Sequence, residues 1–358
     1  MHKRLLAGVV TSLAAAMVLA ACSGGGSDAP DGDDGQAEAS EGPFTIGLSN
    51  AFIGSEYRTQ MVEDVEEVFA EYEADGVVDK LILENADTDT NGQIQQIRNL
   101  INNGVDAIIV DPSSETALNQ VFQEATDQGI LVYAVDQAVT EPSVTNVVID
   151  QGEWARPSAE WLAEKVGDGG QIVVINGIAG NPANEVRWEV AEGVFDDAGV
   201  EVLTVADGGW DQATGQQAMS DLLATYPDID GVWTQDGMAQ GILRALEAAD
   251  KTSDIVLSGE ARGGFMRMWD ELRDDGFESI GVVNPPGTAG TALHVAIAQL
   301  QGSEFADGVV EDGTLTLPEP PVVTNDNFDE VWDEISDLGD AYVVDHVLTK
   351  DEVAEFFK

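Results

Sequence analysis

GVVDKLILENADTDTNGQIQQIRNLINNGVDAIIVDP, residues 76 to 112, reads as strand, polar loop, helix and second strand. DKLILEN (79–85) and DAIIVD (106–111) are short apolar runs rich in branched side chains. Between them QIQQIRNLINNG spaces apolar residues three and four apart, the period of a helix with one buried face. Strands that alternate with helices in this way imply a parallel sheet with helices on both faces. GVEVLTVADGGWDQATGQQAMSDLLATYPDIDGVWTQD (199–236) follows the same plan: strand, Ala-Asp, polar loop, Gly-Gln, amphipathic helix, second strand. The repetition predicts two similar lobes of doubly wound topology.

Outward from these units the alternation continues. Further strands are expected at FTIGLS (44–49), LVYAVD (131–136), VTNVVID (144–150), QIVVING (171–177), DIVLSG (254–259) and SIGVVN (279–284). With the strands of the two repeats, at 79–85, 106–111, 201–206 and 231–235, they make ten. That is more than one compact sheet ordinarily takes, so the fold class is α/β with two parallel, Rossmann-like sheets.

The first residues stand apart from the fold. MHKRLLAGVVTSLAAAMVLAAC begins with His2, Lys3 and Arg4 and continues in an apolar run to Ala21, directly before the only cysteine. Such a segment is a secretory signal, too short to be read as a membrane span. VLAAC resembles the bacterial lipobox, which makes Cys22 the expected lipid-attachment site and places the protein outside the cytoplasm, anchored to the cell membrane. One cysteine admits neither an internal disulfide framework nor a cysteine-rich metal site. SGGGSDAPDGDDGQAEASEGP (23–43) lacks apolar periodicity and reads as a flexible tether.

The sequence holds 67 acidic against 15 basic residues. A surface of that sign repels nucleic acid and anionic lipid, so neither is an expected partner, and it fits a protein adapted to concentrated salt. No GxSxG, HExxH or Walker loop occurs, and of three histidines one lies in the signal, which argues against an enzyme. Asp87, Asp89, Asn91 and Gly92 open like a calcium-binding loop, but Arg98 stands where the bidentate glutamate belongs. The loop is therefore expected to cap a helix, and no metal or cofactor is expected.

In parallel sheets ligands bind beyond the carboxyl ends of the strands. Those ends carry Ser49-Asn50, Asp111, Asp136-Gln137, Asn176, Asp207 to Trp210, Gln235-Asp236, Glu260 and Asn284. The loop after the first strand adds Phe52, Tyr57 and Arg58. Carboxylates and amides with aromatic faces nearby suit a neutral polyhydroxylated ligand: hydroxyls take the hydrogen bonds and C–H faces stack. Trp233 lies in a strand, and Trp154, Trp161 and Trp188 in helices, where packing is the expected role.

NNGVDAIIVDPSSETAL (102–118), GILVYAVDQAV (129–139), VVINGIAGNPANEVRWE (173–189), LLATYPDIDGVWTQDGMAQGILRAL (222–246) and VVNPPGTAG (282–290) together resemble the periplasmic sugar-binding proteins of the ribose/galactose type. The resemblance implies two lobes joined by three crossovers and closing on ligand like a hinge, with crossings near Ile149-Asp150, Val283-Asn284 and Leu317-Pro320. It divides the sequence into a signal (1–21), a tether (22–43), one lobe from 44–149 with 284–318, and a second from 150–283 with 319–358. It implies a monosaccharide ligand, a membrane permease of an ABC transporter as partner, and a monomer. Carried over by position, the binding roles fall on Asn50, Phe52, Tyr57, Arg58, Asp136, Gln137, Arg187, Trp210, Gln235 or Asp236, Glu260 and Asn284. The Asp-Arg pair of ribose binders appears here as Asp136-Gln137, with Arg58 as the candidate replacement for the missing guanidinium. A ligand-sensing receptor on the same fold is the alternative reading, and a glycoside-acting enzyme ranks below it.

Overall fold

The computed structural model describes residues 42–319 and 322–358. The signal, Cys22, all but the end of the tether, and Pro320 at the third crossing lie outside the described residues. Strand and helix alternate from the start. The order is β1 (Phe44–Asn50), α1 (Glu56–Ala74), β2 (Val78–Asn85), α2 (Thr90–Asn103), β3 (Ala107–Asp111), α3 (Asn119–Thr126), β4 (Leu131–Val135) and β5 (Thr145–Val148). After α4 (Gln151–Val166) come β6 (Gln171–Asn176), α5 (Pro182–Ala198), β7 (Glu201–Asp207), α6 (Gln212–Thr225), β8 (Gly231–Thr234), α7 (Ala239–Ala248), β9 (Val256–Glu260), α8 (Gly263–Arg273) and β10 (Ser279–Val282). The last elements are α9 (Thr288–Leu300), β11 (Val310–Glu311), β12 (Thr314–Thr316), β13 (Val323–Thr324), α10 (Phe328–Ile335) and α11 (Lys350–Ala354).

All ten expected strands form, and they fall into two sheets. The first has the order β11-β12-β5-β4-β3-β1-β2 and the second β13-β10-β9-β8-β6-β7. Every pairing is parallel except β11 with β12 and β13 with β10. Both repeats start on an edge strand, β2 or β7, and step over one strand to β3 or β8, so each places a topological switch point beside the first strand of its sheet. The central strands read as continuous apolar runs because both faces are covered: β3 is buried at all five positions. Gly47 in β1 lies where a Cβ would come within 3.0 Å of the Leu100 side chain, which lets α2 pack close. The calcium-like loop does cap a helix: the Asp89 side chain accepts the Gly92 amide at 2.8 Å, at the start of α2.

The backbone passes between the sheets after β5, after β10 and between β12 and β13. The tail differs from the expectation that all of 319–358 stays with the second sheet. Phe328 and Ile335 of α10 do pack into the second sheet's outer core. Beyond Val343 the backbone returns to the first: Leu348 and Val353 join the core around α1 and α9, and Phe357 stacks on Phe305 with ring centroids 4.9 Å apart. Apolar residues at 348 and 353 need a buried surface, and the groove between α1 and α9 supplies it.

This return brings two carboxyls together, Asp64 of α1 against Asp345. Burial, then the charges of Asp345, Glu67 and Glu63, push the Asp64 carboxyl up to about 9. A carboxyl raised by folding stabilises the fold fully below its unfolded value of about 3.9, and that contribution is lost as pH rises through about 9. The Tm of the native protein should therefore fall between about pH 5 and 10 more steeply than that of Asp64→Asn, whose side chain stays neutral. Parallel melting curves would contradict the shift.

Candidate functional site

The carboxyl ends of both sheets and the loops beyond them border one cavity of about 650 Å³. From the first sheet's side come Phe52, Tyr57, Arg58, Asp111, Asp136 and Gln137; from the second's, Arg187, Trp210, Asp236 and Arg262; Asn284 enters from the second crossing. The volume lies in the range of small-molecule sites.

The first wall is built around Arg58. Ser55 caps α1 by accepting the Arg58 amide at 3.2 Å, so the arginine emerges in the first turn and points back across the strand ends. Its Nη1 lies 2.5 Å from Asp111 Oδ2 and donates to Asn50 Oδ1 at 3.0 Å, and Nη2 approaches Asp136 Oδ2 at 3.9 Å. Burial pushes the Asp111 carboxyl well up and the Arg58 charge pulls it back. Tyr57 donates to Asp136 Oδ1 at 3.3 Å; burial, then the Asp136 charge, raises its phenol well above the usual range. Phe52 is 42% exposed, on the lip of the cavity rather than in the core.

The second wall is built around Arg187, which is 1% exposed. Asn181 caps α5, and from that helix Arg187 donates to Gln151 at 2.6 Å and to Asp236 Oδ2 at 2.8 Å. Its guanidinium lies over the Trp154 ring, 3.9 Å from the centroid. The indole of Trp210 lies against Gly177, where a Cβ would come within 2.0 Å of Nε1, so only glycine leaves room for it. Asp136, Trp210 and Asp236 have φ of 62°, 55° and 39°; among the described residues only two other non-glycine positions share that region. Such strain costs on the order of 1–3 kcal/mol each and collects at sites that bind or switch.

Three expected residues do not border the cavity. Asn50 is fully buried and holds the loop, donating to Asn85 and to the Phe52 carbonyl at 2.8 Å each. Gln235 is also fully buried and donates to Asn176 at 3.1 Å, so of the pair left open it is Asp236 that faces the cavity. Successive residues at a strand end point opposite ways, which separates them. Glu260 is 1% exposed and sits behind Arg262, which donates to it from Nε at 2.9 Å. Arg262 was missed by the strand-end rule. Its signal was present: an arginine two residues past a strand end in a protein with few of them. Gly237 leaves the space for it, since a Cβ there would meet Nη1 at 2.3 Å.

Several buried polar atoms around the cavity have no hydrogen-bond partner among the described residues: Oδ1 of Asp111, Oδ1 of Asp236 and Nε1 of Trp210. The other carboxylate oxygen of Asp111, Oδ2, is held in the ion pair with Arg58. Buried groups of this kind are normally satisfied, and these belong to residues that line the cavity, where a bound molecule could supply the missing donors and acceptors. No cluster of three or more His, Cys, Asp or Glu arranged to hold a metal occurs among the described residues.

Comparison with known proteins places this geometry. Residues 46–304 match the family model described as periplasmic binding protein domain. The ribose import binding protein of Bacillus subtilis is 28% identical over 218 residues, covering 60% of this chain and 69% of that protein. The xylitol-binding protein of Mycolicibacterium smegmatis is 28% identical over 260 residues, 70% of each chain. Alignments with the ribose-binding relatives of Bacillus, Pseudomonas and Escherichia span between 57% and 69% of those proteins. An ABC transporter solute binding protein from Thermobispora bispora superposes with a TM-score of 0.76 at 25% identity, covering 87% of this chain and 94% of that one.

Removing the Arg58 charge tests the first wall. Arg58→Met should destabilise the fold by about 3 kcal/mol, because Asp111 stays buried without its counter-charge. Arg58→Met with Asp111→Asn should recover more than half of that loss in urea unfolding. Equal losses in the single and double variants would show that the pair does not hold this wall.

Proposed function

We propose, because this chain belongs to the periplasmic binding protein domain family, that it captures a neutral monosaccharide or related polyol in the cavity between its sheets. The observation that carries this is the set of orphaned atoms around the cavity. Asp111 and Asp236 offer acceptors for hydroxyl protons, and Trp210 offers one indole N–H. A polyol presents many hydroxyls and no charge, which matches that set. Trp210 and Phe52 supply flat apolar faces for the C–H groups of a sugar ring or an open polyol. The relatives named for ribose and xylitol fit the same ligand chemistry.

Contacts from both walls make ligand binding and lobe closure one equilibrium, since a ligand touching both sides favours the arrangement that brings them together. The closed form would then be what an ABC-transporter permease recognises. Export by the signal at 1–21 and lipid attachment at Cys22 would keep the protein outside the cytoplasm at the membrane, as a monomer on its tether.

A thermal-shift screen of pentoses, hexoses and linear polyols in molar salt tests the ligand class. A ligand at 100 times its Kd should stabilise the fold by about 2.7 kcal/mol, without turnover. For the ligand so found, Trp210→Ala and Arg187→Ala should each weaken binding at least tenfold by calorimetry. Unchanged affinity in both would remove the site assignment, and hydrolysis of the ligand would replace capture with catalysis.

A further inference from the structure

The tail segment around Val343 touches both halves of the molecule at one point. The Gly263 amide donates to the Tyr342 carbonyl at 2.7 Å and the Val344 amide to the Ala261 carbonyl at 3.0 Å. These bonds pair Val343 with Arg262 in an antiparallel bridge and fasten the tail to the corner between β9 and α8. On its other side Gln60 of α1 grips Val343 with both ends of its amide: Nε2 donates to the carbonyl at 3.0 Å and Oε1 accepts the amide at 2.9 Å. Two residues on, the Asp345 carboxylate accepts the Gly287 amide at 2.8 and 3.0 Å, where the second crossing enters α9.

Glu56 stands one helical turn before Gln60, on the same face of α1. Its Oε2 accepts from Arg262 Nη1 at 2.6 Å. One turn of a first-sheet helix therefore holds both the side chain of Arg262 and the backbone of its bridge partner.

We propose that Glu56, Gln60, Arg262 and the tail residues 342–345 form a clasp that favours the closed arrangement of the two lobes without ligand. Three covalent crossings allow a hinge, and this non-covalent tie acts across the cleft beside it. If the lobes separate at this point, Val343 keeps either Gln60 or the Ala261–Gly263 corner, and the Glu56–Arg262 pair breaks. The clasp is built to reopen. Arg262 keeps Glu260, 2.7 Å from Nη2, as its partner when Glu56 leaves. Glu56 is 39% exposed at its side chain and returns to water at small cost. A pair with one exposed partner contributes modestly, enough to shift the ratio of closed to open forms without locking it. The consequence for ligand affinity rests on the solute-capture reading above; the clasp itself does not.

Distance measurement between spin labels tests it with no ligand present. Asn102 and Ser253 are exposed and lie on opposite halves, so Asn102→Cys and Ser253→Cys in the full-length protein with Cys22→Ser give one reporting pair. The parent should show a short-distance population. Glu56→Gln and Gln60→Ala should each reduce it, relative to the long-distance population, by about two- to fivefold. Arg98→Gln, which breaks the Arg98–Glu124 pair within the first lobe, should leave it unchanged. A parent with only long distances, or both clasp variants matching the parent, would overturn the proposal. Because no sugar is added, either result is independent of whether sugar is the ligand.

Discussion

An arginine can be taken out of water only if a carboxylate goes with it, and three such pairings shape this cleft. Arg58, Arg187 and Arg262 have side chains that are 11%, 1% and 6% exposed. Each comes from one element and is held by an acid from another: α1 to the end of β3, α5 to the end of β8, and the loop after β9 to the first turn of α1. Breaking the Arg58 or the Arg187 pair by removing one partner strands a buried charge, at several kcal/mol, whereas Arg262 keeps Glu260 when Glu56 is lost. The loops at the strand ends are thus fixed to their neighbours, and the strained backbone at Asp136 and Asp236 is held in place by the same network. A cleft assembled in this way is largely formed before any ligand arrives.

The architecture was legible because its signals are local. Short apolar runs separated by amphipathic helices define parallel strands whatever the rest of the sequence does. β11, β12 and β13 were not legible: runs of two or three residues at sheet edges carry no period, and their pairing depends on distant partners. Strand ends located the cleft but not the direction of each side chain. Gln235 and Asp236 are neighbours and face opposite ways, and Glu260 lies behind an arginine two residues on whose longer side chain reaches the cavity. The tail was the hardest part to place. Gln60 and Val343 meet across 283 positions of sequence, and nothing within the tail itself states which sheet its apolar residues will cover.

The surface and the cleft follow opposite electrostatic rules. Outside, a formal charge of −52 creates a field that keeps anions away and is screened in concentrated salt. Inside, screening hardly reaches, and every guanidinium bordering the cavity already has a carboxylate within hydrogen-bond or ion-pair distance. An anionic ligand would meet repulsion at long range and no unclaimed cation at short range. A cationic one would be drawn to the surface everywhere and so gain little that is specific to the cleft. What remains distinctive there is the orphaned acceptors of Asp111 and Asp236 and the indole N–H of Trp210. Those groups recompense a molecule for its lost water only if it brings matching donors and acceptors at the right places, so a ligand taken up there would be selected by hydrogen-bond geometry rather than by net charge.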